Sequence, residues 1–294
     1  MAIRSLQKLE GRFRRLRDRA LGNALFGAGI TAKAFLRHLG ARGDLIVRTL
    51  ADHRIVLDPG DHTLSYSLMR EGTWQRWELD RAVSFLAARG ALPPGGLFVD
   101  VGANIGTQTV YAMLTGAFGG AVAIEPEPRC FDILQLNVAV NGFADRVRTV
   151  RSAVGATSGE LPFMVEAGNR AAHSLVRALT ATSGVSINVP VRPLPDLLAG
   201  CGADPASVGM VWIDVEGYEP DVLAGMPGLL ARSVPLVIET NPHLYAGGID
   251  ALASILIPHY DMFVDLAEAL LVPRPIGDLT QITGQHDVAV FRGG

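Results

Sequence analysis

The run Leu97-Phe98-Val99-Asp100-Val101-Gly102-Ala103-Asn104-Ile105-Gly106 constrains the fold more than any other stretch of the chain. An apolar strand ends in an acid, a glycine turn follows, and a helix begins. An α/β protein holds a nucleotide-like ligand at such a place, beyond the carboxyl end of a parallel strand. The glycines let the backbone approach a ligand closely and turn sharply. The spacing is Gly-x-Asn-x-Gly. Asn104 stands where a dinucleotide fingerprint has its close-approach glycine, and the third glycine of that fingerprint is missing. This argues against a pyrophosphate and suits a smaller ligand with a sugar and an amino-acid tail, such as S-adenosylmethionine. Read alone, the run also fits a strand, turn and helix that bind nothing.

Strand and helix signals alternate after this run. Strands are expected at 97–101, 121–125, 147–151, 209–214, 234–239, 259–264 and 287–291, and helices near 106–116, 128–140, 219–231 and 246–257. That alternation predicts a doubly wound α/β sheet. A two-strand insertion is expected around 160–192, with a mobile loop at 167–184 where Gly, Ser, Thr and Ala concentrate. Ahead of the sheet, residues 46–68 read as short strands with Asp58-Pro59-Gly60-Asp61 as the turn between them, and residues 76–89 read as a helix. The chain thus divides into a basic N-terminal helical extension (1–45), a small cover of hairpin plus helix (46–96) and a ligand-binding domain (97–294).

Apolar residues make up 49% of the 294, which excludes a disordered chain, and a net charge of −3 gives no general pull toward nucleic acid. Cys130 and Cys201 lie in unrelated contexts, so neither a zinc site nor a disulfide framework is suggested, and a reducing, cytoplasmic setting follows. The first twenty residues break the neutral balance. Arg4, Lys8, Arg12, Arg14, Arg15, Arg17 and Arg19 face only Glu10 and Asp18, while Leu6, Leu9, Phe13 and Leu16 form one helical stripe. Docking of that stripe on the body or on a second subunit is the favoured reading. The rival is weak contact of residues 4–19 with an anionic membrane at the inner surface. Lys33 and Arg37 interrupt any membrane-spanning run.

The expected strand ends carry the candidate site. They are Asp100, then Glu125 followed by Pro126, then Ser152-Ala153-Val154, then Asp214 with Glu216, then Glu239. Gathering so many carboxylates is costly without a polar ligand to hold. Glu125 follows Asp100 by one β-α-β unit, where a carboxylate accepts hydrogen bonds from a ribose diol; the competing role is to cap the helix that starts near Pro128. Asp214 can hold the cationic amino group of an amino-acid moiety. Glu216 and Glu219 can cap the next helix or face the substrate. His243 lies just past a strand on the ligand side, where an imidazole can take a proton from a hydroxyl.

Taken together, Val99 through Gly106, Ile124-Glu125-Pro126 and Trp212-Ile213-Asp214-Val215-Glu216-Gly217-Tyr218-Glu219 resemble FkbM-type methyltransferases. The similar stretch runs from about Asp58 to Tyr245. The resemblance implies a Rossmann-like, seven-stranded class I methyltransferase sheet with its last strand antiparallel. It implies S-adenosylmethionine as methyl donor, with Asp100, Gly102, Ala103, Asn104 and Gly106 around the methionine part. Glu125 and Pro126 would lie at the ribose, Ser152, Ala153 and Val154 beside the adenine, and Asp214 near the transferred methyl. It implies O-methylation of a hydroxyl on a sugar, glycan, glycolipid or related natural product, with Asp214, Glu216, Glu239 and His243 as candidate bases. Trp74, Trp77 and Tyr218 are candidates for stacking on a sugar, although both tryptophans also suit packing of the cover. Some O-methyltransferases of this fold hold Mg²⁺ between an acid after strand four and an acid–Asn pair after strand five. Here Glu239-Thr240-Asn241 carries an inserted residue, so no metal ligand is assigned. Two rival readings remain: a nicotinamide-dependent oxidoreductase, which the glycine spacing opposes, and a non-catalytic membrane-surface or assembly protein.

Overall fold

The computed structural model describes residues 38–40, 42–61, 63–165 and 185–293. The basic stripe at 4–19 and the loop at 167–184 lie outside the described residues. No helix among them is long and apolar enough to cross a membrane.

The central sheet is built from β3 (Leu97–Val101), β4 (Gly120–Ile124), β5 (Val147–Val150), β9 (Val208–Ile213), β10 (Leu236–Thr240), β11 (Met262–Asp265), β12 (Arg274–Pro275) and β13 (His286–Phe291), in the order β12-β11-β13-β10-β9-β3-β4-β5. Five of these, from β10 through β5 in that order, are parallel neighbours, and β13 runs antiparallel to both β10 and β11. The expected seven strands with an antiparallel last strand are present, and the two-residue β12 adds an eighth at the edge. β4, β9 and β10 are buried at every position, as strands covered on both faces must be. Three residues of the helix α2 (Arg76–Ala88), Leu79, Val83 and Leu86, share a buried cluster with Phe98, Met210 and Phe291 of the sheet.

Local chemistry departs from the sequence expectations in three places. An antiparallel hairpin forms from β1 (Ile46–Thr49) and β2 (Arg54–Leu57), but it turns at residues 50–53, where Leu50 N donates to His53 O (2.8 Å), and not at 58–61, and residues 64–71 are a helix, α1 (Leu64–Glu71), not a strand. Asp61 decides this, because its carboxylate accepts from the backbone N–H of Thr63 (3.1 Å) and Ser65 (2.8 Å) at the helix start. The helix expected at 219–231 is two, α6 (Glu219–Ala224) and α7 (Pro227–Ala231). Pro227 has no N–H to continue the first, and a Cβ on Gly225 would sit 2.3 Å from the Gly155 carbonyl oxygen. The insertion forms its own three-stranded sheet, β6 (Ala153–Val154), β8 (Val185–Arg192) and β7 (Gly159–Val165), with β8 in the middle.

The hairpin is tied to the ligand-side turn by two asparagines one helical turn apart on α4 (Pro128–Val140) and at its end. Asn137 is fully buried; its Oδ1 accepts from Val56 N (2.6 Å), and its Nδ2 donates to Val56 O (3.1 Å) and Ile105 O (2.7 Å). Asn141 repeats the pattern on Arg54, accepting from its N and donating to its O at 2.8 Å each. Asn137→Ala should therefore destabilise the protein by roughly 2–4 kcal/mol, the cost of leaving buried main-chain groups unpaired. Urea unfolding measures this, and a midpoint equal to wild type would show that water replaces the carboxamide.

Candidate functional site

The carboxyl ends of β4, β3, β9 and β10 open into a cavity of about 340 Å³. That volume falls within the roughly 300–1,000 Å³ common for small-molecule clefts. Asp100, Gly102, Ala103, Asn104, Glu125, Pro126, Ser152, Ala153, Val154, Asp214, Glu216 and Glu239 all line it. Gly106 does not, since it starts the helix α3 (Thr107–Thr115) at φ 86°. His243 is exposed in a single 3-10 turn, Pro242–Leu244, and is also outside the cavity. That turn points Leu244 inward against Gly217 and leaves the imidazole outside. Trp74 and Tyr218 reach the cavity, whereas Trp77 is exposed beneath the Arg81 guanidinium, 4.0 Å from its ring centroid.

The glycine turn is shaped by what lies behind it. Gly102 has φ 85°, and a Cβ there would fall 1.9 Å from the Asp214 carbonyl oxygen. Only glycine fits between β3 and the loop after β9. Asn104 adopts φ 50°, a left-handed conformation that asparagine tolerates, and its N–H donates to Glu125 Oε2 at 2.8 Å. Glu125 Oε1 accepts from Glu127 N, also at 2.8 Å. Glu127, not Glu125, caps α4, through a bond from Cys130 N. Each Glu125 oxygen keeps a second lone pair for a ligand. Burial pushes its carboxyl up to about 8 despite the two N–H bonds.

Asp100 is 1% exposed and accepts from the Thr109 hydroxyl; burial raises it to about 7. The Ser152 hydroxyl is turned to the carbonyl oxygens of Ala153 (2.9 Å) and Pro190 (3.0 Å), so it braces β6. Ala153 and Val154 form an apolar wall with Phe163 from β7, a residue the sequence reading did not single out.

At the β9–β10 end the carboxylates converge. Oxygens of Asp214, Glu216 and Glu239 lie within 4.8 Å of one another. Burial, reinforced by the charges of Glu239, Glu216 and Asp287, holds Asp214 well above the usual carboxylate range. Glu239 is raised by burial; its Oε1 accepts from Gln285 Nε2 at 2.6 Å, while its buried Oε2 has no partner. Glu219 is fully buried and does not face the cavity; it accepts from Val215 and Gly217 N–H and so fixes the loop that carries Asp214 and Glu216. Sequence reading also passed over Gln75, Gln108 and Gln285, which line the cavity. Gln75, at φ 50°, accepts from Gln108 Nε2 (2.9 Å) and donates to Asp287 Oδ2 (3.3 Å), and no local pattern announces such a contact across 212 positions.

A family model described as the methyltransferase FkbM domain matches residues 100–270. The chain is 26% identical over 160 residues to methyltransferase sdnD of Sordaria araneosa, covering 46% of this chain and 62% of that protein. It is 24% identical over 184 residues to 2-O-methyltransferase NoeI of Sinorhizobium fredii, covering 58% of this chain and 74% of that one. Among solved structures it is similar to methyltransferase FkbM from Methylobacillus flagellatus KT, at 15% identity and a TM-score of 0.44, over 76% of this chain and 60% of that one.

The buried acids set an unusual pH dependence. Folded-state values of about 7 for Asp100 and Glu219 and about 8 for Glu125 and Asp287 all lie above the unfolded range. A carboxyl raised on folding contributes fully below its unfolded value, and stability is lost as pH rises through the folded value. The ligand-free protein should melt higher at about pH 6 than at about pH 8.5. Asp287→Asn should narrow that gap by gaining stability at the higher pH. Melting curves that track wild type at both values would remove Asp287 from the effect.

Proposed function

The chain belongs to the FkbM methyltransferase family, and from that premise we propose that it transfers the methyl group of S-adenosylmethionine to a hydroxyl of a sugar, glycan, glycolipid or related natural product. One observation carries the reading. A single cavity spans four adjacent strand ends, with Glu125 over β4, the glycine turn over β3, and the Asp214–Glu216–Glu239 cluster over β9 and β10. Neighbouring strands lie about 4.8 Å apart, so Glu125 and Glu239 leave strands roughly 14 Å apart, room for a donor and an acceptor in line. The name of NoeI supports a hydroxyl acceptor.

When bound, the donor supplies a methyl group on a sulfonium, which is already a good leaving group. The chain's own task is to bind, align and receive a proton. Glu125, whose oxygens keep spare lone pairs, would accept from the two ribose hydroxyls, and Ala153, Val154 and Phe163, which line the cavity, would pack beside the adenine. The turn at Gly102–Asn104 would bring backbone against the methionine part, and Asp214 would offset its positive charge. A hydroxyl is a weak nucleophile at neutral pH, and the carboxylate cluster is where its proton goes as the new C–O bond forms. Carboxyls raised toward neutrality suit that transfer better than ordinary ones. Alignment of the oxygen with the methyl contributes up to about 7–11 kcal/mol. Trp74 at the rim offers a sugar an apolar face.

Glu125→Ala should weaken donor binding by roughly 1.5–3 kcal/mol, the worth of hydrogen bonds to a charged group. Calorimetry with a folded variant that binds as tightly as wild type would take Glu125 out of the site. Asp214→Asn should keep the wild-type melting temperature while labelled methyl transfer to a panel of glycans falls at least tenfold. A variant with full transfer would make this acid structural. Retention of label by none of the panel, with donor binding intact, would move the acceptor outside the glycan class.

A further inference from the structure

Three glutamines line the cavity, and two of them stand at its Glu239 end. Gln75, the residue ahead of α2, donates from Nε2 to Asp287 Oδ2 (3.3 Å), and Asp287 lies opposite Glu239 where β13 pairs with β10. Gln285 immediately precedes β13 and donates from Nε2 to Glu239 Oε1 (2.6 Å). The wall contributed by the three-stranded sheet is apolar instead, through Ala153, Val154 and Phe163. The carboxamides are thus placed where the acceptor binds.

The protein uses only part of the hydrogen-bonding capacity of these two amides. A carboxamide offers two N–H donors and an oxygen with two lone pairs. Gln75 gives one donor to Asp287 and one lone pair to Gln108 Nε2 (2.9 Å), which leaves one donor and one lone pair. Gln285 gives one donor to Glu239 and keeps the other, together with its oxygen. Gln108 is buried and its oxygen accepts from the Thr107 hydroxyl, so its part is to hold Gln75 in place. Gln75 needs that hold, because φ 50° strains a residue with a side chain and persists only where the surroundings fix it. An open donor beside an open acceptor matches a hydroxyl, which both gives and takes a hydrogen bond. Two such amides at one end of a cavity match neighbouring hydroxyls.

We propose that Gln75 and Gln285 bind the hydroxyls next to the one that is methylated, so that the acceptor is a polyol with hydroxyls on adjacent carbons and Gln75 determines which arrangement of them is accepted. This rests on the reading of the chain as a hydroxyl methyltransferase, and adds to it the feature of the acceptor that the site recognises. Recognition of this kind is strict, because an acceptor without the neighbouring hydroxyl leaves the amides of the site desolvated and unpaired. A purely structural Gln75 would instead tie the segment ahead of α2 to β13 and have no bearing on the choice of acceptor.

Simple glycosides test this on the full chain. The probes are the methyl glycosides of glucose, mannose and fucose, with monodeoxy forms of each. Saturation-transfer NMR on the complex with S-adenosylhomocysteine should show bound glycoside, and labelled S-adenosylmethionine should pass its methyl group to it. Removal of the hydroxyl next to the methylated one should lower kcat/KM roughly three- to tenfold, the fold-change that a lost neutral hydrogen bond gives. Gln75→Gly keeps the backbone path, since glycine adopts φ 50° without strain. It should raise the acceptor KM with kcat little changed and abolish the difference between parent and deoxy glycoside. Gln285→Ala, at an exposed position, gives the same comparison if the first variant does not fold. A ratio of parent to deoxy rates equal to wild type in the folded variants overturns the proposal. So does a complex with S-adenosylhomocysteine that binds none of the glycosides. Failure of the wild type to bind S-adenosylhomocysteine is a different result, which overturns the methyltransferase reading and this proposal with it.

Discussion

Everything at the ligand side depends on one steric constraint, the contact between Gly102 and the main chain at Asp214. With a Cβ at 1.9 Å from that carbonyl oxygen, no other residue permits β3 and β9 to close over their ends as they do. The Asp214 N–H in turn donates to Val101 O at 3.0 Å, so the glycine turn and the acid loop are held together from both sides. The glycine turn after β3 and the carboxylate loop after β9 are therefore one rigid unit. A shift in either alters the other, which is what precise alignment of two reactants demands.

That rigidity is combined with electrostatic strain. Asp100, Glu125, Asp214, Glu239 and Asp287 are all raised by burial, and several repel one another. Groups that serve only the fold are satisfied from within: Glu219 has its backbone donors and Asp61 its helix start. Buried carboxylate oxygens without a partner belong to Glu239, at the edge of the cavity, and to Asp287 on the neighbouring strand. The contrast separates carboxylates that the scaffold satisfies from those that it does not, a difference that residue type alone does not reveal.

Much of the fold was legible because the parallel strands must be apolar on both faces, and their ends carry the acids. Position 125 was found from the spacing of one β-α-β unit, and the antiparallel final strand from the family resemblance. What stayed hidden was decided by contacts distant in sequence or by capping. Leu64-Ser65-Tyr66-Ser67-Leu68 alternates perfectly with a strand's period, yet Leu64 and Leu68 are also one helical turn apart, and the Asp61 cap tips the balance. His243 was assigned by its place after a strand, but the direction of a side chain in a 3-10 turn is not written in that place. Gln75 and Gln285 belong to segments with no periodic signal, and only the folded chain brings them to Asp287 and Glu239.

The paired asparagines on α4 have a consequence for solubility. The outer edge of β2 exposes alternate N–H and C=O groups that would otherwise accept another strand. Asn137 and Asn141 satisfy those of Val56 and Arg54 with carboxamides, so a helix imitates the hydrogen-bonding face of a β-strand. The β2 edge is thereby closed to strand addition without proline or bulge, and this side of the hairpin is guarded against pairing with a neighbouring molecule.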